Sequence, residues 1–108
     1  MIKTGIDIVI NKRFEKLKYN ESFLEKVFHI SELKNRKKLI AIFALKEAVI
    51  KCLGKKVNWK DIEVKIKEGK KSEIFLSKNI QPKNFKNIDG SISHDGEYTI
   101  AFVIMELK

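Results

Sequence analysis

The chain has 108 residues, with 23 Lys and Arg against 14 Asp and Glu, a formal net charge of +9. This length suits one domain, residues 1–108, around one core. The longest apolar runs, Leu39–Leu45 and Ile100–Met105, fall far short of the roughly 20 residues a bilayer span requires. The opening Met-Ile-Lys-Thr-Gly-Ile-Asp is not built like a signal peptide. With Cys52 alone, intrachain disulfides and a Cys-rich zinc site are excluded, so a soluble protein of the reducing cytoplasm is expected.

Ile2–Ile10 carries the β-branched run Ile6, Ile8, Val9, Ile10 and predicts a strand. From Asn11 the period becomes helical, with Phe14 and Leu17 on one face, until Tyr19-Asn20. Asn20 suits the cap of a second short helix carrying Phe23, Leu24, Val27 and Phe28. Ser31 is the expected cap of a long helix reaching Leu53, with Gly54 as its terminator. Beyond Gly54 the period is two: Ile62, Val64 and Ile66 alternate with charged residues in a half-buried strand. Lys67–Lys70 reads as a hairpin turn into Ile74-Phe75-Leu76, and a loop is expected around Pro82 and Asp89-Gly90. Ser91–His94 and Tyr98–Leu107 close the chain as strands joined at Asp95-Gly96. Helices first and strands afterwards give an α+β class with a mainly antiparallel sheet and one long buried helix packed on it.

That helix, Leu39–Leu53, is apolar except at Lys46, Glu47 and Lys51. An unpaired buried charge costs several kcal/mol, so each of the three needs a partner or a cleft. Glu47 and Lys51 stand at i,i+4 and read in two ways. They form a helix salt bridge worth about 0.3–0.5 kcal/mol, or a metal-holding carboxylate beside a phosphate-holding ammonium. Asp7, a poor strand former inside an apolar strand, is open in the same way between an exposed face and a second hard oxygen ligand. His94 reads as a turn histidine before Asp95-Gly96.

The ordered set Gly5-Ile6-Asp7-Ile8-Val9, Arg13, Phe43-Ala44-Leu45-Lys46-Glu47-Ala48-Val49-Ile50-Lys51, Leu53-Gly54, Trp59–Val64 and Ser91-Ile92-Ser93-His94 resembles holo-acyl-carrier-protein synthases. These are the small free-standing 4′-phosphopantetheinyl transferases, and the resemblance runs nearly end to end. It implies Mg²⁺-dependent transfer of phosphopantetheine from coenzyme A to a serine of apo-acyl carrier protein, releasing adenosine 3′,5′-bisphosphate, within fatty-acid biosynthesis. It implies further that Asp7 and Glu47 hold Mg²⁺ and that Lys51 steadies the diphosphate. Gly54 would permit close approach of the nucleotide. Ser93 and His94 would reach the nucleotide from the neighbouring subunit of a homotrimer whose active sites lie at subunit interfaces. Lys46 is turned about 100° from Glu47 and is assigned either to the site or to a structural pair. Arg13 and Lys26 align with contacts to the acidic carrier, to which Lys12, Lys16 and Lys18 add charge.

The sequence departs from the family's pattern at several points. The segment between Leu33 and Phe43 is short, and Lys71 stands where a proline is typical. Ile42 replaces an arginine common in the family, for which Lys34, Arg36, Lys37 and Lys38 are candidate replacements. Two other classes compete with the transferase. A basic nucleic-acid-binding module is suggested by the charge and by Phe14, Tyr19 and Phe23 among basic residues, but it leaves Asp7 and Glu47 unexplained. A trimeric scaffold without turnover is suggested by Ile42.

Overall fold

The computed structural model describes all residues 1–108. In strand β1 (Ile2–Ile10) strict alternation turns Gly5, Asp7 and Val9 inward and leaves Ile2, Ile6, Ile8 and Ile10 exposed. Helix α1 (Asn11–Leu17) follows at once and buries Phe14. Helix α2 (Glu21–Val27) starts at Asn20, whose Oδ1 accepts from the Phe23 N–H at 3.1 Å, as its side chain foretells.

The single helix expected from Ser31 is instead three pieces: α3 (Ile30–Leu33), a 3₁₀ turn (Arg36–Lys38) and α4 (Leu39–Leu53). The cap of α3 is His29, and the Ser31 hydroxyl donates to Glu63 at 2.9 Å. The reason lies in the run Lys34–Lys38, all of it exposed. A helix is held mostly by the face it buries, and these residues offer none, so α4 begins at the first buried residue, Leu39. It stops where expected. Gly54 takes φ 71°, a conformation glycine adopts without penalty, and its N–H closes on the Ile50 carbonyl.

Strand β2 (Ile62–Lys65) and β3 (Glu73–Leu76) form a separate antiparallel hairpin, with Ile62 and Val64 buried. Strands β4 (Phe85–Asp95) and β5 (Tyr98–Leu107) join β1 in an antiparallel sheet of order β1-β5-β4. Asp89-Gly90 is therefore not a loop but part of β4. A side chain on Gly90 would stand 2.8 Å from the Ile74 Cδ1 and 2.9 Å from the Leu45 Cδ2. The glycine marks tight packing between helix, hairpin and strand rather than a turn.

The α+β architecture is as expected, with α4 lying across β1 and β5 on one face of the sheet. Leu45, Ala48 and Val49 meet Ala101, Val103 and Met105 there with no solvent exposure. The helix crosses β1 at Gly5, where a Cβ would lie 2.0 Å from the Ala48 carbonyl oxygen and 2.8 Å from the Cys52 nitrogen. Both atoms are backbone and cannot swing aside. Gly5→Ala is accordingly expected to destabilise the fold by about 2–3 kcal/mol, as overpacking does. In a thermal melt this would lower Tm by roughly 10 °C or more.

Candidate active site

The Gly5 crossing brings together the charges flagged in the sequence. Asp7 lies two residues along β1 on the same inward face as Gly5, and Glu47 precedes Ala48 on α4. The Lys51 ammonium, one turn after Glu47, reaches across to the Asp7 Oδ1 at 3.1 Å. The i,i+4 bridge from Lys51 to Glu47 is not the contact made; the pair links helix to strand. Asp7 is largely buried in it, with 11% of its side chain exposed, whereas Lys51 stays open at 55%. Lys51 is free to meet a further anion.

Asp7, Glu47 and Arg13 line one cleft, with Phe14, Leu17 and Phe43 as its apolar wall. Burial raises the Glu47 carboxyl above its ordinary value of 4.5, and the neighbouring Asp7 carboxylate adds to the rise. Lys51 and Arg13 oppose it without cancelling it. Two neighbouring carboxylates, one of them held by burial and by the other's charge in a poorly solvated place, fit a hard divalent cation. Mg²⁺ is typically held by one or two carboxylates, the rest of its shell being water and substrate phosphate. These two side chains satisfy the donor chemistry; no group of three or more His, Cys, Asp or Glu exists that could make an all-protein cage.

Lys46 points the other way and is wholly buried. Its Nζ donates to Glu32 Oε1 at 2.7 Å, to the Val27 carbonyl at 2.7 Å and to the Trp59 carbonyl at 3.3 Å. Burial pulls this ammonium below its ordinary value, and Glu32 draws it back up. Of the two alternatives in the sequence, the structural pair is the one formed. Glu32 itself escaped the sequence reading. The available signal was that a lysine inside an apolar helix demands a carboxylate, and Glu32 lies between Ile30 and Leu33 in the preceding apolar patch.

Lys26 shares a second cleft with Glu47, bounded by Lys56, Asn58 and Trp59 and without Asp7. Trp59 stacks on Phe43, with ring centroids 5.5 Å apart and planes inclined at 16°. Gly54 serves as the cap of α4, and its position is open, with nothing within 4 Å of where a Cβ would stand.

Ser93 and His94 are not brought to these carboxylates. They lie on β4, two strands from β1 and thus about 10 Å away at the same level. His94 is nonetheless oriented. Thr99, fully buried, donates its only hydroxyl proton to Asn11 Oδ1 at 2.7 Å, so its oxygen accepts from His94 Nδ1–H at 2.9 Å, leaving Nε2 outward. His94 borders a basic cleft with Lys38, Lys70, Lys71 and Ser91. Ile42 is 2% exposed, so that position belongs to the core. Of the candidate replacements, Lys38 lines the same cleft as His94, while Arg36 and Lys37 line another with Lys18, just past the end of α1. The aromatics among the basic residues do not form a stacking platform: Phe14 and Phe23 pack edge-on at 6.1 Å against the core, and only Tyr19 is open.

The burial of Glu47 carries a stability signature. The native carboxyl binds its proton more tightly than an unfolded one, so this residue's contribution is complete below pH 4.5 and is lost as pH rises through the native value. Glu47→Gln is expected to raise Tm in metal-free buffer at pH 7–8 and to leave it nearly unchanged near pH 4, read by paired thermal melts.

The profile of the 4′-phosphopantetheinyl transferase superfamily matches residues 3–103. The holo-[acyl-carrier-protein] synthase of Nautilia profundicola is 36% identical over 94% of this chain and 96% of its own length. That of Carboxydothermus hydrogenoformans is 37% identical over 97% and 98%. Among solved structures, Helicobacter pylori holo-[acyl-carrier-protein] synthase in complex with coenzyme A superposes with a TM-score of 0.83 at 32% identity, over 98% of this chain and 100% of that one. The Neisseria meningitidis enzyme superposes with 0.84 at 26% identity, over 98% and 99%. A fold shared end to end with enzymes of this kind, and an identity above one third across the whole chain, place this protein among the holo-[acyl-carrier-protein] synthases of the 4′-phosphopantetheinyl transferase superfamily.

Proposed function

We propose that this chain transfers the 4′-phosphopantetheine group of coenzyme A to a serine hydroxyl of an apo-acyl carrier protein in a Mg²⁺-dependent reaction, releasing adenosine 3′,5′-bisphosphate. The observation that carries this reading is the convergence of Asp7, Glu47 and Lys51 at the Gly5 crossing. Structures of the relatives from Helicobacter pylori and Bacillus anthracis were solved with coenzyme A, which supports it as the donor. Asp7 and Glu47 would hold Mg²⁺, which when bound offsets negative charge on the bridging phosphates. Lys51 stands beside them as a compact cation for the departing phosphate. The serine oxygen forms the new bond to the phosphorus bearing pantetheine as the bridging bond breaks, and its proton passes to a base. Phe14, Leu17 and Phe43 give the cleft a dry wall, which strengthens these charge interactions.

The nucleotide is assigned to a neighbouring copy. The cleft at Asp7 encloses about 130 Å³, well below the roughly 300 Å³ and more of small-molecule sites. On the opposite face of β1 and β5 runs an unpartnered apolar surface: Ile2, Ile6, Ile8, Ile10, Tyr98 and Phe102 are each at least 42% exposed. Such a face fits a homotrimer with active sites at its interfaces. In that assembly His94 Nε2 and Lys38 of one subunit serve the nucleotide bound at the carboxylates of the next, and Lys38 supplies the charge missing at Ile42; Ser93, in register with Ile8 on the other face of the sheet, is placed at the subunit interface instead. Arg13 and Lys26 flank Glu47 and face the acidic carrier. No helix is long and apolar enough to cross a membrane; we place the reaction in the cytoplasm, in fatty-acid biosynthesis.

Incubation with apo-acyl carrier protein, coenzyme A and Mg²⁺ should add the mass of one phosphopantetheine group to the carrier, and EDTA should abolish the gain. No gain on folded carriers would overturn the reading in favour of a scaffold without turnover or a nucleic-acid binder. Asp7→Ala and Glu47→Ala should each lower kcat/KM by about 10²-fold or more, the scale of losing a group that stabilises developing charge. Arg13→Glu should raise KM for the carrier by about tenfold and flatten its salt dependence, with kcat little changed.

A further inference from the structure

We propose that Lys46 and Glu32 are a positioning pair that sets the cleft of Lys26, Asn58 and Trp59 beside Glu47, at which the carrier protein docks, an inference that rests on the transferase reading. Lys46 adjoins Glu47 in sequence but has no solvent exposure, and all three of its donors are used, on Glu32, the Val27 carbonyl and the Trp59 carbonyl. It has no donor left for a substrate and acts only through what it holds. Glu32 completes the clasp: Oε1 also accepts from the His29 N–H at 2.8 Å and Oε2 from the Val64 N–H at 2.8 Å. One buried pair thus fastens the end of α2, the start of α3, residue 59 and strand β2 to α4.

The fastened points are the walls of the second cleft at Glu47. Val27 follows Lys26, and Trp59 lies beside Asn58; Lys26, Asn58 and Trp59 all line that cleft. The same Trp59 ring backs Phe43, a wall of the first cleft. Buried ion pairs are often replaceable by apolar residues without loss of stability, so a need for stability alone does not account for this one. What an apolar pair could not do is hold two carbonyls and two N–H groups at fixed points around the helix.

The test uses the double variant Lys46→Met/Glu32→Leu, which keeps apolar volume and removes the hooks. Trp59, the chain's only tryptophan, reports the wall directly through acrylamide quenching of its fluorescence. The expected result is a cooperatively folded protein with KM for the carrier raised about tenfold, kcat within about threefold, and Trp59 more readily quenched. A folded double variant with wild-type KM and wild-type quenching overturns the proposal, since a merely structural pair would behave that way. If the double variant does not fold, Glu32→Gln decides on the same readouts: a rise in KM and quenching supports the clasp, and no change overturns it. Should the wild-type protein transfer nothing, the transferase reading fails by itself, and unchanged quenching would independently sink the clasp.

Discussion

The contact between the backbone of β1 and the backbone of α4 governs the rest of the molecule. Where Gly5 meets Ala48, strand and helix touch main chain to main chain, with no side chain as a spacer. The usual helix-on-sheet separation leaves room for a layer of side chains, and short carboxylates projecting from opposite sides of that layer would be kept apart. Here the layer is locally absent, so Asp7 and Glu47 share one cleft and Lys51 spans to Asp7. A site that works by electrostatic preorganisation requires its charges to be fixed before the substrate arrives. The fixing is done by two rigid elements rather than by a loop.

Helix α4 shows how one apolar segment distributes three charges to three environments. Successive residues step about 100° around the axis, so neighbours in sequence face different surroundings. Lys46 turns into the core and is neutralised by Glu32; Glu47 turns to the cleft edge and is only partly solvated; Lys51, a full turn on, reaches the surface. The solvation of each follows its angle. The least solvated is fully paired within the protein, and the two facing the cleft are left with capacity for something outside it.

Most of the fold was legible because its signals were local: the β-branched run of β1, the Asn20 cap, the Gly54 stop and the period of β2 each lie within a few residues. The errors came where a local signal competed with a distant partner. Ser31 looked like a helix cap, but its hydroxyl bonds Glu63, and the helix it seemed to start had no face to bury through Lys34–Lys38. Asp89-Gly90 looked like a turn because the packing of Leu45 and Ile74 against Gly90 is not written nearby. For the candidate site, spacing alone did not bring Asp7 to Glu47; only the resemblance to the family's ordered motifs implied that juxtaposition, and the fold places both on one cleft. The role of Lys46 stayed open for the same reason: Glu32 is fourteen residues away, and only the folded chain brings it near.

The outward face of β1 and β5 bears on how this protein responds to its ionic surroundings. It is a stripe of isoleucine and aromatic side chains on a molecule of net charge +9. Copies that join through it must bring like charges together, a repulsion that weakens as salt shortens the Debye length. Attraction between the basic α1 and any acidic partner that meets it would weaken over the same range. Ionic strength therefore pushes self-association and carrier capture in opposite directions. An assembly through this face and a docked acidic partner would therefore favour opposite ends of the salt range.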